Sequence, residues 1–291
     1  MQPQPFPTRP FKTAPHRELH GTAVYQGDLP RKPWEYLITA AIPTLDHPQE
    51  TQCCVEVLRA QTCRPYIILV DTGSTEDNFR QLSNLRGNDL EIHTIRRQAS
   101  IGPSDIIAAA LDLTFALAET PYVFTTHQDC FLKSRTLLEF LANQIPGKAA
   151  IGYQLTERPH RNWRNHLGHT CTLFDLPTWD RIGATWTLRR ATAMQGVGRH
   201  HPGNDEETFI DTEATMNHCF EKAHVKTAII GTETNYVRNT DDYIDHCRSL
   251  TCSSIYSHPH HEKALTWSRQ AMLEAWSRIE QWKLYGPADP E

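Results

Sequence analysis

Thr126, His127, Gln128 and Asp129 close the apolar run YVFT at residues 122 to 125. An imidazole, an amide and a carboxylate at a strand's end suit a cation or a polar ligand, since α/β sheets bind ligands beyond the carboxyl ends of their strands. A second carboxylate, Asp71, ends the apolar run YIILVD and is followed by TGST. There Gly73 lets the backbone turn tightly beside the acid. A third group, Asp211-Thr212-Glu213, sets two carboxylates at the start of a helical period, where the helix dipole favours their ionised forms. Each has a purely structural reading as well. Asp129 reads equally as a strand-end cap, and His127 as a side chain bonded to a backbone carbonyl. Asp71 with Gly73 reads as a turn, and the 211–213 acids as an ordinary helix start.

The elements that must position these groups alternate from Tyr36 onward. YLITAAIP reads as a buried strand stopped by Pro43, and PQETQCCVEVLRAQ as a helix. YIILVD is a second strand, TGSTEDNFRQLSNL a capped helix, LEIHTI a third strand. PSDIIAAALDLTFALAE is a long helix with Pro103 near its start, and YVFT is the fourth strand. Strand–helix alternation of this kind favours a mostly parallel sheet covered by helices on both faces. The second half is less regular. HTCTLFD is strand-like, LPTWDRIGATW a short helix or turn, RHHPGNDEET a loop, FIDTEATMNHCFEKA a helix and VKTAIIG a strand. The expected domains are a proline-rich arm at 1–34, one domain at 35–250, and a C-terminal stretch at 251–291 carrying an amphipathic helix packed on it. Trp267, Trp276 and Trp282 are expected as packing anchors of that helix.

The 291 residues are long enough for a sizeable core, and 39% hydrophobic with 22% charged residues suits a soluble globular chain. A formal net charge of -5 disfavours a nucleic-acid partner, although Arg158, Arg161 and Arg164 form a local basic cluster. The eight cysteines show neither a CxxC pair nor zinc-like spacing, and are expected to be reduced thiols of a cytoplasmic protein. No apolar run reaches the length of a membrane span, and residues 1–21 lack the apolar segment of a signal peptide.

The order of features resembles the family 2 glycosyltransferases of the GT-A fold over residues 36 to 235. AAIPTLDHPQET is similar to the family's first strand and loop. AQTCRPYIILVDTGSTED resembles its SQT…EIIVVDDGSTD segment, which is the most specific of the matches. SIGPSDIIAAALDLTFALAETPYVFTTHQD resembles the stretch that ends in the family's metal-binding Asp-x-Asp, and CTLFDLPTWDRIGATW the strand that leads to its Ile-Gly-Gly segment. FIDTEATMNHCFEKAHVK sits where the family has an acidic pair opening a helix. The fold implied is α/β, a Rossmann-like, mixed and mostly parallel sheet flanked by helices, with a C-terminal helical extension.

The activity implied is metal-dependent, inverting transfer of a sugar from a nucleoside-diphosphate sugar, UDP-linked by default, to an acceptor hydroxyl. A departing diphosphate needs neutralising, which a divalent Mn or Mg ion does from an oxygen ligand. By resemblance that ligand is Asp129, and His246 corresponds to a late histidine that some members supply to the ion. Pro43, Thr44, Asp71, Gly73, Ser74, His127 and Gln128 then line the nucleotide-sugar site. His127 replaces the family's usual first carboxylate, so a single acid implies that metal and sugar nucleotide bind together. An imidazole ligand at His127 would favour Mn²⁺. Thr72 replaces the second Asp of the usual pair, which leaves the base read by the site open. Inverting transfer also needs a general base. Glu213 matches the family's catalytic acid, with Asp211 the alternative, and Trp186 is the candidate face for an acceptor sugar.

Two rivals stand beside this reading. A nucleotidyltransferase would need a Gly-rich basic loop after the first strand, and IPTLDHPQE holds neither glycine nor lysine. A catalytically inactive nucleotide-sugar-binding module would keep the fold without the metal site.

Overall fold

The computed structural model describes residues 22–23, 35–85, 87–95, 103–156, 166–186, 199–200, 208–209, 212–234, 238–247 and 261–284. In chain order the first half holds β1 (Thr22–Ala23), β2 (Ile38–Thr44), α1 (Pro48–Arg59), β3 (Tyr66–Asp71), α2 (Glu76–Ser83), β4 (Leu90–Ile95), α3 (Pro103–Leu117) and β5 (Tyr122–Thr125). It continues with β6 (Cys130–Leu132), α4 (Leu137–Gln144), β7 (Ala150–Thr156), β8 (Thr172–Asp175), α5 (Leu176–Ile182), β9 (Arg199–His200) and β10 (Thr208–Phe209). The last elements are α6 (Thr212–Lys222), β11 (Thr227–Thr234), β12 (Asn239–Thr240), β13 (Ile244–His246) and α7 (His261–Leu284).

Eight strands form one mixed sheet in the order β1-β4-β3-β2-β5-β8-β7-β11. Neighbours among β4, β3, β2 and β5 are parallel, as are β7 and β11, while β8 runs antiparallel to both β5 and β7. The parallel strands therefore end at one edge of the sheet, and β8 begins there. A small second sheet, β12-β13-β6, stands beside that edge. The expected α/β architecture, mostly parallel with flanking helices and a C-terminal helix, is the one observed.

The two-residue side-chain period explains how one strand feeds two cores. Ile38, Ala40 and Ile42 of β2 join Phe124 of β5 in a core that also takes Cys54 and Leu58 of α1, Leu138 of α4 and Ala271, Ala275 and Ile279 of α7. Ala41 and Val123 point to the opposite face, toward Leu111 and Phe115 of α3, Trp179 of α5 and Met216 of α6. Burial on both faces is why these strands read as continuous apolar runs. Trp267, Trp276 and Trp282 lie partly buried against the first core, as expected of anchors. Ser268 also donates to Glu50 Oε1 at 2.8 Å.

One expectation needs correcting. Pro43 does not stop β2, which continues to Thr44 with Pro43 opposite Val70 of β3. Thr126 N donates to Ala41 O, so odd-numbered residues of β2 face β5, and that ladder ends at Ala41 opposite Thr125. The N–H that proline lacks would have pointed to a side with no partner strand.

Among the described residues no helix is long and apolar enough to cross a membrane. Seven described cysteines are free, and five of them are buried.

Candidate active site

Two neighbouring loops at the carboxyl edge are stitched together. Thr72 N and Thr72 Oγ1 both donate to Thr44 O, at 2.8 and 2.9 Å. Asp46 N donates to Ser74 Oγ at 2.6 Å, and Asp46 Oδ1 accepts from Thr75 N and Asn78 Nδ2. Asp46 and His47 both have positive φ, 52° and 48°, a conformation that non-glycine residues avoid and that such bracing sustains. Gly73 has φ 111°, so the reading of a glycine-dependent turn after Asp71 describes the backbone there.

Asp71 is buried at the end of β3, where its carboxylate accepts from Gly73 N at 3.3 Å and Ser74 N at 3.2 Å. Burial raises its pKa, and the hydrogen bonds from Ser74 and Gly73 offset only part of that rise. Gln128 is fully buried. Its Oε1 accepts from Thr44 Oγ1, from Leu45 N at 3.0 Å and from Thr51 Oγ1 at 3.3 Å, and its Nε2 donates to Leu45 O at 3.0 Å. Those bonds make Gln128 a clamp between the ends of β2 and β5.

The adjacent residues turn toward one point. His127, Asp129 and His246 each offer a ligand atom, and these atoms lie within 4.8 Å of one another. Strand pairing brings them together across the chain: β13 runs antiparallel to β6 with His246 opposite Cys130, and Cys247 N donates to Asp129 O at 3.0 Å. His246 Nδ1 lies 2.7 Å from Oε1 of Glu233, a fully buried residue of β11. That contact fixes the ring and leaves Nε2 for the cluster. Nε2 of His246 lies 3.5 Å from Asp129 Oδ1. Both His246 Nε2 and Asp129 Oδ2 are buried without a hydrogen-bond partner. Burial lowers the His246 pKa, but Glu233 and Asp129 outweigh it and the net shift is upward. Buried, unsatisfied nitrogen and oxygen atoms facing one another fit a divalent cation with mixed N/O preference.

A second imidazole–carboxylate pair flanks the first. β8 is antiparallel to β5 with Thr172 opposite Thr125, so the residues before β8 lie beside those after β5. His169 and His127 rings accordingly sit 4.2 Å apart, centroid to centroid. His169 Nδ1 is hydrogen-bonded to Oε1 of Glu213, in the first turn of α6, and both residues are buried. Asn217, one turn further on, grips Leu167 through both its N–H and its carbonyl, at 3.0 and 2.9 Å, and so ties α6 to the chain before His169. His169 and His127 line a small cavity with Pro43, Thr44, Thr72 and Ile107.

Of the sequence-derived candidates, then, Pro43, Thr44 and His127 meet at one cavity, with Asp129 and His246 beside it. Asp71, Gly73 and Ser74 form the adjoining turn. Glu213 reaches the group through His169. Asp211 lies outside the described residues. Trp186 requires a correction: it is fully buried, packed on Phe115, Phe174 and Trp179, with its backbone N donating to Asp112 Oδ1 at 2.8 Å. It therefore has no face to offer a sugar. His169, Glu233 and Asn217 were not singled out from sequence. His169 opens the strand-like stretch HTCTLFD, and the antiparallel course of β8 is what brings it to the cleft edge.

No family model matches the sequence, and no curated protein matches it. Among solved structures the fold is similar to Staphylococcus aureus TarS 1-349 in complex with UDP, at TM-score 0.40 and 12% identity over 51% of this chain and 49% of that one. The chain spans 36% and 59% of two further TarS structures. It is also similar to mannosyltransferase PcManGT from Pyrobaculum calidifontis in complex with GDP-Man and Mn²⁺, at TM-score 0.47 and 14% identity over 92% and 80% of the two chains. A third is glucosyl-3-phosphoglycerate synthase from Mycobacterium tuberculosis in complex with Mn²⁺, UDP and phosphoglyceric acid, at 0.45 and 12% over 84% and 78%. These likenesses concern fold alone, and the strand order described above independently has the mixed, mostly parallel form expected of a GT-A sheet.

Proposed function

We propose that the chain is a glycosyltransferase that moves a sugar from a nucleoside-diphosphate sugar to an acceptor hydroxyl, with a divalent cation held by Asp129 and His246 and completed by His127. The observation that carries this reading is the set of buried atoms without a hydrogen-bond partner, Asp129 Oδ2 and His246 Nε2, in a three-residue cluster beside the cavity of Pro43, Thr44 and Thr72. When bound, such an ion neutralises the charge that develops on a leaving diphosphate. The protein's own contribution is positional. Glu233 orients His246, Gln128 clamps the Thr44–Leu45 backbone that borders the nucleotide, and the Asp71–Gly73–Ser74 turn presents a carboxylate to the nucleoside. UDP is the default donor nucleotide, Mn²⁺ the ion that two imidazoles favour over Mg²⁺, and inversion the stereochemical outcome.

The arm (1–34) and the C-terminal stretch (251–291) are read as appendages of one transferase domain (35–250). The free, mostly buried thiols suit a reducing compartment such as the cytoplasm.

Release of nucleoside diphosphate from a panel of UDP- and GDP-sugars with Mn²⁺, using water and simple methyl glycosides as acceptors, tests the reading. Asp129→Ala is expected to lower turnover by a factor on the order of 10²–10³, the loss of one strong electrostatic contact to the leaving group. Unchanged turnover in that variant would remove the site assignment, and nucleotide binding without turnover in the wild type would favour a non-catalytic module.

A further inference from the structure

We infer that the acceptor's hydroxyl is received by His169 Nε2, and that Glu213, the acid matched to a catalytic base, acts as a positioning residue behind it. This rests on the transferase reading and deepens it. Glu213 is only 3% exposed, and its Oε1 holds His169 Nδ1. That contact places the ring proton on Nδ1 and leaves the lone pair of Nε2 as the acceptor atom, the arrangement by which a carboxylate sets a histidine's tautomer. His169 Nε2 is buried without a hydrogen-bond partner, although the residue lines the cavity shared with Thr44, Thr72 and His127. A buried polar atom left unmatched beside a cleft points to a ligand group that completes it.

The ring is held rigidly from three directions. Glu213 fixes Nδ1, the His127 ring lies against one face, and Asn217 fastens Leu167 to α6. Thr172 Oγ1 donates to Gly168 O at 2.9 Å and to Thr170 O at 3.2 Å, which ties down both chain neighbours of His169. The metal cluster does not take in His169, whose ring is adjacent to it through His127. The site thus has two imidazole–carboxylate pairs of different purpose. Glu233–His246 serves the ion and the leaving group, and Glu213–His169 serves the incoming alcohol.

In the transfer step the acceptor oxygen forms its bond to the anomeric carbon while the bond from that carbon to the diphosphate oxygen breaks. The diphosphate leaves with the electron pair, and the hydroxyl proton passes to His169 Nε2. No further reactant is needed.

The test uses the full chain and the donor panel above. His169→Ala is expected to lower nucleoside diphosphate release by a factor on the order of 10²–10³, as for loss of a general base. Its Mn²⁺ and UDP affinities should be unchanged, and added imidazole should restore turnover. His169→Gln, which fills the space, should lose turnover in the same way and resist rescue. Glu213→Gln keeps an acceptor for Nδ1 and should lower kcat by about tenfold with little change in donor KM, an outer partner's effect on an imidazole. His169→Ala with wild-type turnover would overturn the assignment, as would loss of Mn²⁺ binding in that variant equal to that of Asp129→Ala. If Glu213→Gln abolished turnover while His169→Ala retained it, Glu213 itself would be the base. A wild-type protein inert toward every donor would overturn the transferase reading, and this assignment with it.

Discussion

His246 and Asp129 face each other across two antiparallel strands at 3.5 Å, yet neither His246 Nε2 nor Asp129 Oδ2 has a hydrogen-bond partner. The other nitrogen of the histidine, by contrast, sits at 2.7 Å from Glu233. A histidine held on one side and without a hydrogen bond on the other suits the ligand role proposed for it. Glu233→Gln is therefore expected to weaken Mn²⁺ binding by about 10- to 100-fold without unfolding the protein. Asp129→Ala should weaken it further. Calorimetric Mn²⁺ titrations of the three proteins check the order.

Asp71 carries a cost that the proposed nucleoside site would explain. Burial raises its pKa, so the folded protein holds this proton to higher pH than the unfolded chain does. The sign follows: ionised Asp71 works against folding at pH 7, and its contribution becomes more favourable as pH falls through the folded pKa. Asp71→Asn should raise the Tm at pH 7 and at the same time weaken UDP binding. A thermal melt and a UDP titration on the same variant test both halves.

Asp89 has the opposite sign. It is buried between Arg59, whose Nε and Nη2 donate at 3.0 and 2.9 Å, and Arg64, whose Nη2 donates at 2.6 Å. Burial alone would raise its pKa, but the hydrogen bonds and charges of the two arginines outweigh it and lower the value. This stabilisation is complete above the ordinary carboxylate range and is lost as pH falls through the depressed folded pKa. Asp89→Asn should cost about 2–3 kcal/mol at pH 7, the loss of charged hydrogen bonds at a mostly buried acid. Urea midpoints at pH 7 and pH 3 should differ less in the variant than in the wild type.

Gly152, in the middle of β7, faces Thr172 of β8. A Cβ there would fall 2.6 Å from Thr172 Cα, a backbone atom that cannot swing away. Gly152→Ala should destabilise the protein by about 1–3 kcal/mol and disturb the strand that leads from His169. Denaturant unfolding measures the first effect, and nucleoside diphosphate release the second.

The sheet was legible because its central strands are buried on both faces, which leaves apolar runs such as YIILVD and YVFT, while LEIHTI shows the alternation of a strand. Asp71 and Asp129 stood out as the polar residues ending such runs. The strand read from VKTAIIG stops at Gly231, short of Glu233 near the end of β11, and the short β13 carries no apolar run, so Glu233 went unnoticed and His246 entered only by resemblance. The reading of Trp186 failed for a related reason. Its burial comes from Phe115, Phe174 and Trp179, of which Phe115 belongs to a helix about seventy residues earlier, and no local pattern reveals that packing. His169 was hidden by direction: only the antiparallel course of β8 turns the residue before a strand, rather than the one after it, toward the cleft.

Because β13 completes the cluster, the order of synthesis matters. Asp129 emerges from the ribosome well before Glu233 and His246, so a nascent chain displays the acid long before it holds the imidazole that faces it. For the proposed cation, loading is thereby a late event in the life of the polypeptide, and its shortage would be felt by finished molecules rather than by growing ones.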